Sequence, residues 1–201
     1  MMLSTPKGRQ PNPGKTMNKQ IISFPKDGKP TLIANEWQVW DGERDEGGIP
    51  DLEHGFHKVL VPFHWWRIHN PAHHQNADVI DKASKGEIGV WFAADDDILK
   101  HADIIEAGKP LWPVVGAHFP IFRDGRSFST AALLRDRFEW QGEVRAIGDV
   151  LIDQLLQGAR VGFDAFELRP DQNPDIALKQ FDLFSVVTQN SWRDQRTTIV
   201  A

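Results

Sequence analysis

A phrase of strand, loop and helix repeated in close succession is the feature that most narrows the folds open to this chain. Residues 114–169 read VVGAHFPIFRDGRSFSTAALLRDRFEWQGEVRAIGDVLIDQLLQGARVGFDAFELR. VVGAHF, EVRAIG and AFELR are short apolar runs between turn signals, the pattern of strands buried on both faces. A helix is expected over 128–138, capped by Ser127, and another over 150–161, capped by Asp149 and closed by Gly162. Strands alternating with helices favour parallel pairing through right-handed crossovers. The loops then gather at the strand C-terminal ends, where α/β proteins build their sites.

The flanking sequence extends the pattern. KVLVPF from Lys58 and IGVWFA from Ile88 read as further strands. DDDILKHADIIEAG reads as a helix, with Asp95, Asp96 and Asp97 at its start, Ile98, Ala102 and Ile105 on one stripe, and Gly108 at its end. Asn173, Pro174 and Asp175 open a last helix with a cap, a first-turn proline and an acidic residue. Between residues 20 and 50, IISF and TLIANEWQVW alternate with Asp-Gly and Gly-Gly turns, which predicts a small strand-rich lobe over 19–57. Residues 1–18 include KGRQPNPGK, too poor in apolar surface to offset their ordering entropy, and are expected to be a disordered tail. The α/β domain is placed at 58–201. Its sheet should be largely parallel, as an open three-layer arrangement or an incomplete barrel, because 201 residues are few for eight complete units.

Composition removes several chemistries. With no Cys the chain has no thiolate nucleophile, disulfide or Cys-held cluster, and with no Tyr it has no phenol. A net charge of -5 argues against nucleic acid as a partner. There is no apolar run long enough for a membrane span and no signal-peptide pattern, so the expected location is cytoplasmic. Dinucleotide, P-loop and nucleophile-elbow motifs are missing. Eight Trp residues, concentrated in the N-terminal half, suit a homo-oligomer contact.

The candidate chemistry clusters in the repeated phrase. Arg123, Asp124, Arg126 and Ser127 place two guanidiniums beside a helix start, an arrangement that suits an oxyanion; the competing reading pairs Asp124 with one Arg. Arg135 falls on the stripe of Phe128, Ala131, Leu134 and Phe138 and should point inward, toward an oxyanion or a carboxylate such as Asp149 or Asp153. Arg145 and Glu167 lie on successive strands and could face each other, as a fixed pair or with Glu167 as an acid/base group. Asp149 is a second acid/base candidate. His64, His69, His73 and His74 match no compact zinc spacing, so no metal is assigned.

Four blocks of this phrase resemble a bacterial family known as domain of unknown function 934: FP-x-F-x-DGR-x-[FY]-S at 119–129, LR-x-R at 134–137, GE-x-RA-x-GDVL-x-DQ at 142–154 and GFDAFEL at 162–168. The resemblance covers about fifty residues in order, with looser IPD and GVWF echoes upstream. FSVVTQ at 184–189 departs from the family's FS-x-x-YQ. Members often carry the label of a probable oxidoreductase involved in sulfite reduction. The resemblance therefore implies an accessory protein of assimilatory sulfite reduction that binds a reductase subunit or a sulfur oxyanion at the strand ends. The alternative it leaves open is an oxidoreductase of that pathway with a borrowed flavin or nicotinamide cofactor.

Overall fold

The computed structural model describes residues 20–42, 48–49, 51–71, 76–184 and 191–193. The tail at 1–18, His73, His74 and most of the FSVVTQ segment lie outside the described residues. The described strands are β1 (Gln20–Ser23), β2 (Thr31–Ala34), β3 (Trp37–Val39), β4 (Lys58–Pro62), β5 (Ile88–Phe92), β6 (Val114–Phe119), β7 (Glu143–Gly148) and β8 (Ala165–Phe166). They form one sheet in the order β2-β1-β8-β7-β6-β5-β4-β3. Pairing is parallel from β3 through β8, and antiparallel where β1 meets β8 and β2. The strand-rich N-terminal region is present as expected, and its strands β1, β2 and β3 are part of this sheet.

Helices α1 (Phe63–His69) and α2 (Ala77–Ser84) lie between β4 and β5 in sequence, and α3 (Ala102–Gly108) precedes β6. Then α4 (Arg126–Asp136) joins β6 to β7, α5 (Leu155–Val161) joins β7 to β8, and α6 (Pro174–Leu178) follows β8. Strand neighbours that follow one another in sequence carry their crossovers to the same face, and the sheet curls away from the helices into an incomplete barrel. Side-chain alternation divides the interior accordingly. Val59, Val61, Ile88, Val90, Phe92, Val115, Ala117, Val144 and Ala146 share the main core with helix residues such as Trp66, Val79, Ile105, Leu134 and Leu155. On the other face Trp37, Leu60, Val114 and Ile147 form a smaller buried cluster, with Val39 and Trp91 against it.

The two ends of the sheet are joined by very little chain. Only Asn35 and Glu36 separate β2 from β3, although these strands stand at opposite ends of the strand order. Three Cα–Cα steps span at most about 11 Å, so the edges must approach one another. Arg145 fastens this junction from the inside: its Nη1 donates to Asn35 Oδ1 at 2.9 Å across 110 residues of sequence. The same oxygen accepts the Trp37 N–H at 3.1 Å. Outside, the Glu36 carbonyl accepts the N–H groups of His57 and Lys58.

Several local expectations change in contact with tertiary structure. Helix α4 starts at Arg126, because the Asp124 carboxylate accepts the Arg126 N–H at 3.2 Å while the Ser127 hydroxyl leaves the helix end to donate to the His118 carbonyl at 2.6 Å. The segment after Asp149 divides into a 3-10 turn at 152–154 and α5, and the Asp149 carboxylate is used elsewhere. The acidic run at 95–97 leads into a 3-10 turn at 98–101 before α3. Asn173 does cap α6, accepting from Asp175 and Ile176 with Pro174 in the first turn. The string around His64 forms α1, with Phe63, Trp65 and Trp66 buried. Trp37, Trp40, Trp65 and Trp66 are all buried core residues. Among the described residues no helix is long and apolar enough to cross a membrane.

Candidate functional site

The C-terminal ends of the parallel strands surround a cavity of about 460 Å³ on the concave face. Asp41 follows β3, Trp91 and His118 lie near the ends of β5 and β6, Gly148 ends β7, Glu167 follows β8, and Glu53 comes from the β3–β4 connection. Strand alternation explains this placement. β5 and β6 share a Gly-x-aromatic-Phe phrase, GVWF at 89–92 and GAHF at 116–119. In each, the phenylalanine enters the helix-side core and the residue before it faces the barrel interior.

Glycine makes room for these interior rings. Gly116 lies opposite Trp91 in the ladder, and a Cβ there would stand 2.9 Å from the Trp91 Cβ. The Trp91 indole donates from Nε1 to the Trp40 carbonyl at 2.7 Å, which fixes its plane. His118 is its neighbour, with ring centroids 5.3 Å apart. Gly148 has φ of 95°, in the left-handed region, and an added Cβ would meet the Phe119 carbonyl at 2.4 Å and the His118 ring at 2.8 Å. Glu53 is tied to β3 through its N–H, which donates to Gln38 Oε1 at 2.7 Å.

Beside this mouth, three loops brace one another. Asp149 accepts the Phe122 N–H at 2.8 Å with one carboxylate oxygen and Arg169 Nη1 at 2.9 Å with the other. Gln154 donates to the Phe122 carbonyl at 2.7 Å and accepts the Leu151 N–H at 2.9 Å. Arg169 also grips Asp171, and Gln172 accepts the Ile152 N–H at 3.3 Å. The β6, β7 and β8 loops are therefore one hydrogen-bonded unit, and the Gly-Asp-Val-Leu phrase at 148–151 supplies its centre.

The charged residues of the repeated phrase separate into distinct networks. Asp124 and Arg126 bind each other through three side-chain hydrogen bonds of 2.6 to 3.2 Å. Arg123 is exposed in the same turn. Arg135 is buried, as its stripe requires, but its carboxylate partner is Asp164 rather than Asp149 or Asp153. It also donates to the carbonyls of Gly162, Trp140 and Gly142, and its guanidinium lies 4.1 Å from the Trp192 ring centroid. Burial pushes the Arg135 guanidinium down and the Asp164 carboxyl up, each against the attraction of the other. Arg145 lies opposite Ala165 and donates to Glu143 at 2.7 Å and to Asn35, so its hydrogen bonds do not go to Glu167. Arg123, Asp124, Arg126, Ser127, Arg135 and Arg145 do not line the mouth cavity. Of the two acid/base candidates, Glu167 lines it and is 7 % exposed, whereas Asp149 is occupied in bracing.

Sequence reasoning passed over Asp41, Glu53, Trp91 and His118 as site residues. The repeated Gly-x-aromatic-Phe phrase was the available signal for two of them, since a period of two sends Trp91 and His118 to the face opposite the helix core. Asp41 and Glu53 carry no comparable local signal.

Hydrogen bonding from Arg126 holds the Asp124 carboxyl down at about 2. Its folded value lies below the ordinary one of about 3.9, so the pair contributes fully above that range and is lost as pH falls through the folded value. The Asp124 carboxyl carbon is expected to titrate with a midpoint near pH 2 by NMR, and Arg126→Ala should raise it toward the ordinary value, the backbone N–H of residue 126 still holding it somewhat down. A wild-type midpoint near the ordinary value would show that the pair does not persist in solution.

Among the described residues no group of three or more His, Asp or Glu side chains is placed to hold a metal ion. His69 stacks on Trp65, with centroids 4.7 Å apart. No curated protein and no solved structure matches the chain. Residues 89–199, more than half of its length and containing the four sequence blocks with the strands that bear them, match the family described as bacterial protein of unknown function (DUF934), and the chain belongs to that family.

Proposed function

We propose that the chain is a cytoplasmic accessory protein of assimilatory sulfite reduction that docks a reductase subunit through the loops at its strand C-terminal ends. The metabolic setting rests on the family resemblance. The docking mode rests on one observation: Ile121 and Phe122 are 46 % and 52 % exposed on a turn held by Asp149 and Gln154. Two apolar side chains presented on a braced backbone lose little further entropy when a partner covers them. Binding of a sulfur oxyanion by the arginines has less support, because Arg126, Arg135 and Arg145 already donate to protein acceptors.

The test is co-purification with the sulfite reductase subunit at physiological salt, using the full chain and an Ile121→Glu/Phe122→Glu variant. Wild type should be retained and the variant should bind at least about tenfold more weakly, since two buried apolar contacts are replaced by desolvated charges. Clean separation of wild type, with no effect on reductase activity, would sink the proposal.

A second reading, an oxidoreductase of the same pathway with a borrowed flavin or nicotinamide, rests on the same family resemblance. Absorbance at about 450 nm in the purified protein would support a flavin. A colourless protein without nucleotide affinity would count against this reading.

A further inference from the structure

We infer that the mouth cavity is a binding site for a small organic cation: an ammonium or guanidinium group on a short carbon frame. The site adjoins the proposed docking loops through Gly148, and its ligand class follows from shape, wall and charge together.

The cavity is a cup with an apolar floor. Trp37, Leu60, Val114 and Ile147 fill the barrel interior beneath it, so a ligand enters and leaves at the strand C-terminal ends. Its volume of about 460 Å³ lies within the range of ordinary small-molecule sites. One wall is the Trp91 indole, held in place by its hydrogen bond to Trp40 and by the space at Gly116. A fixed aromatic face offers its negative quadrupole to a cation with little ordering cost.

Charge selects the same class. Asp41, Glu53 and Glu167 bring three carboxylates to the lining against the one imidazole of His118, and among the described lining residues none is Lys or Arg. Glu167 is almost wholly buried, whereas Asp41 and Glu53 are exposed at the rim. A concave site lined by one sign concentrates the opposite one. Sulfite or sulfate would meet repulsion here, whereas an ammonium group meets carboxylate acceptors on one side and an indole face on the other.

The experiment is calorimetric titration of the full chain, alone and at low ionic strength, with cation and neutral-isostere pairs. The probes are choline against 3,3-dimethylbutan-1-ol, and benzylamine against benzyl alcohol. At least one cation should bind about tenfold or more tightly than its isostere. Trp91→Leu and the exposed-site double variant Asp41→Asn/Glu53→Gln should each weaken that binding several-fold, with circular dichroism establishing that the variants are folded. Asp41 and Glu53 lie at the surface, so the second variant tests charge without disturbing the core. Absence of a charge preference in both pairs overturns the inference, as does cation binding that both folded variants leave unchanged. Reductase is absent from the titration, so failure here leaves the docking proposal standing, and failure of co-purification leaves this one standing.

Discussion

Replacing Arg135 by Leu is expected to destabilise the protein by about 3–5 kcal/mol, the cost of removing one partner from a buried ion pair. The Asp164 side chain is only 14 % exposed, and without the guanidinium it retains the Val144 N–H as a donor at 3.0 Å. The carbonyls of Trp140, Gly142 and Gly162 lose a donor at the same time. Against a typical total stability of about 5–15 kcal/mol, this is a large fraction. Urea unfolding of Arg135→Leu, Asp164→Asn and the double variant forms the appropriate cycle. The double variant should be more stable than the sum of the single losses predicts, because an uncompensated charge is no longer left behind. If Arg135→Leu unfolds within about 1 kcal/mol of wild type, the network is not a major support of the fold.

Gly148→Ala should cost about 3 kcal/mol, from two sources that act together. A non-glycine residue held at φ of 95° is strained by about 1–3 kcal/mol, and forcing a methyl into a packed site costs a similar amount. The first obstacle is the Phe119 carbonyl at 2.4 Å, a backbone atom that cannot rotate aside, and the second is the His118 ring at 2.8 Å. The change should therefore also disturb the mouth cavity, where His118 and Gly148 are neighbours. Gly125→Ala is the control: its φ is -85° and the nearest atom to an added Cβ is Phe128 Cδ2 at 3.8 Å. Its cost should stay below about 1 kcal/mol. Equal losses for both variants would remove the strain argument.

What could be read from the chain alone depended on how local each cause is. β4, β5, β6 and β7 were legible because strands buried on both faces are nearly continuous apolar runs. The inward aim of Arg135 was legible from its helical stripe, but its partner Asp164 was not, since a stripe specifies a direction and not the atom that meets it. Asp149 illustrates the opposite error. Its position before a helical run resembles a cap, yet Arg169 and the Phe122 N–H compete for its carboxylate and win. Arg145 and Glu167 do share one sheet face, but the parallel register sets Arg145 opposite Ala165, two positions short of Glu167, so they are not direct neighbours in the ladder. The role of Asn35 had no local trace at all, because its bond to Arg145 spans 110 residues.

That two-residue junction bears on how the chain is made. Ile22 pairs with Phe166, and Asn35 receives Arg145, so β1 leaves the ribosome well before the β8 strand that it pairs with. β1 and β2 can form only a two-stranded ribbon until then, and such a ribbon is marginal in water. Closure of the sheet consequently waits until β7 and β8 have been synthesised. During this interval the nascent chain carries exposed strand edges, the state most open to capture by chaperones or by another copy.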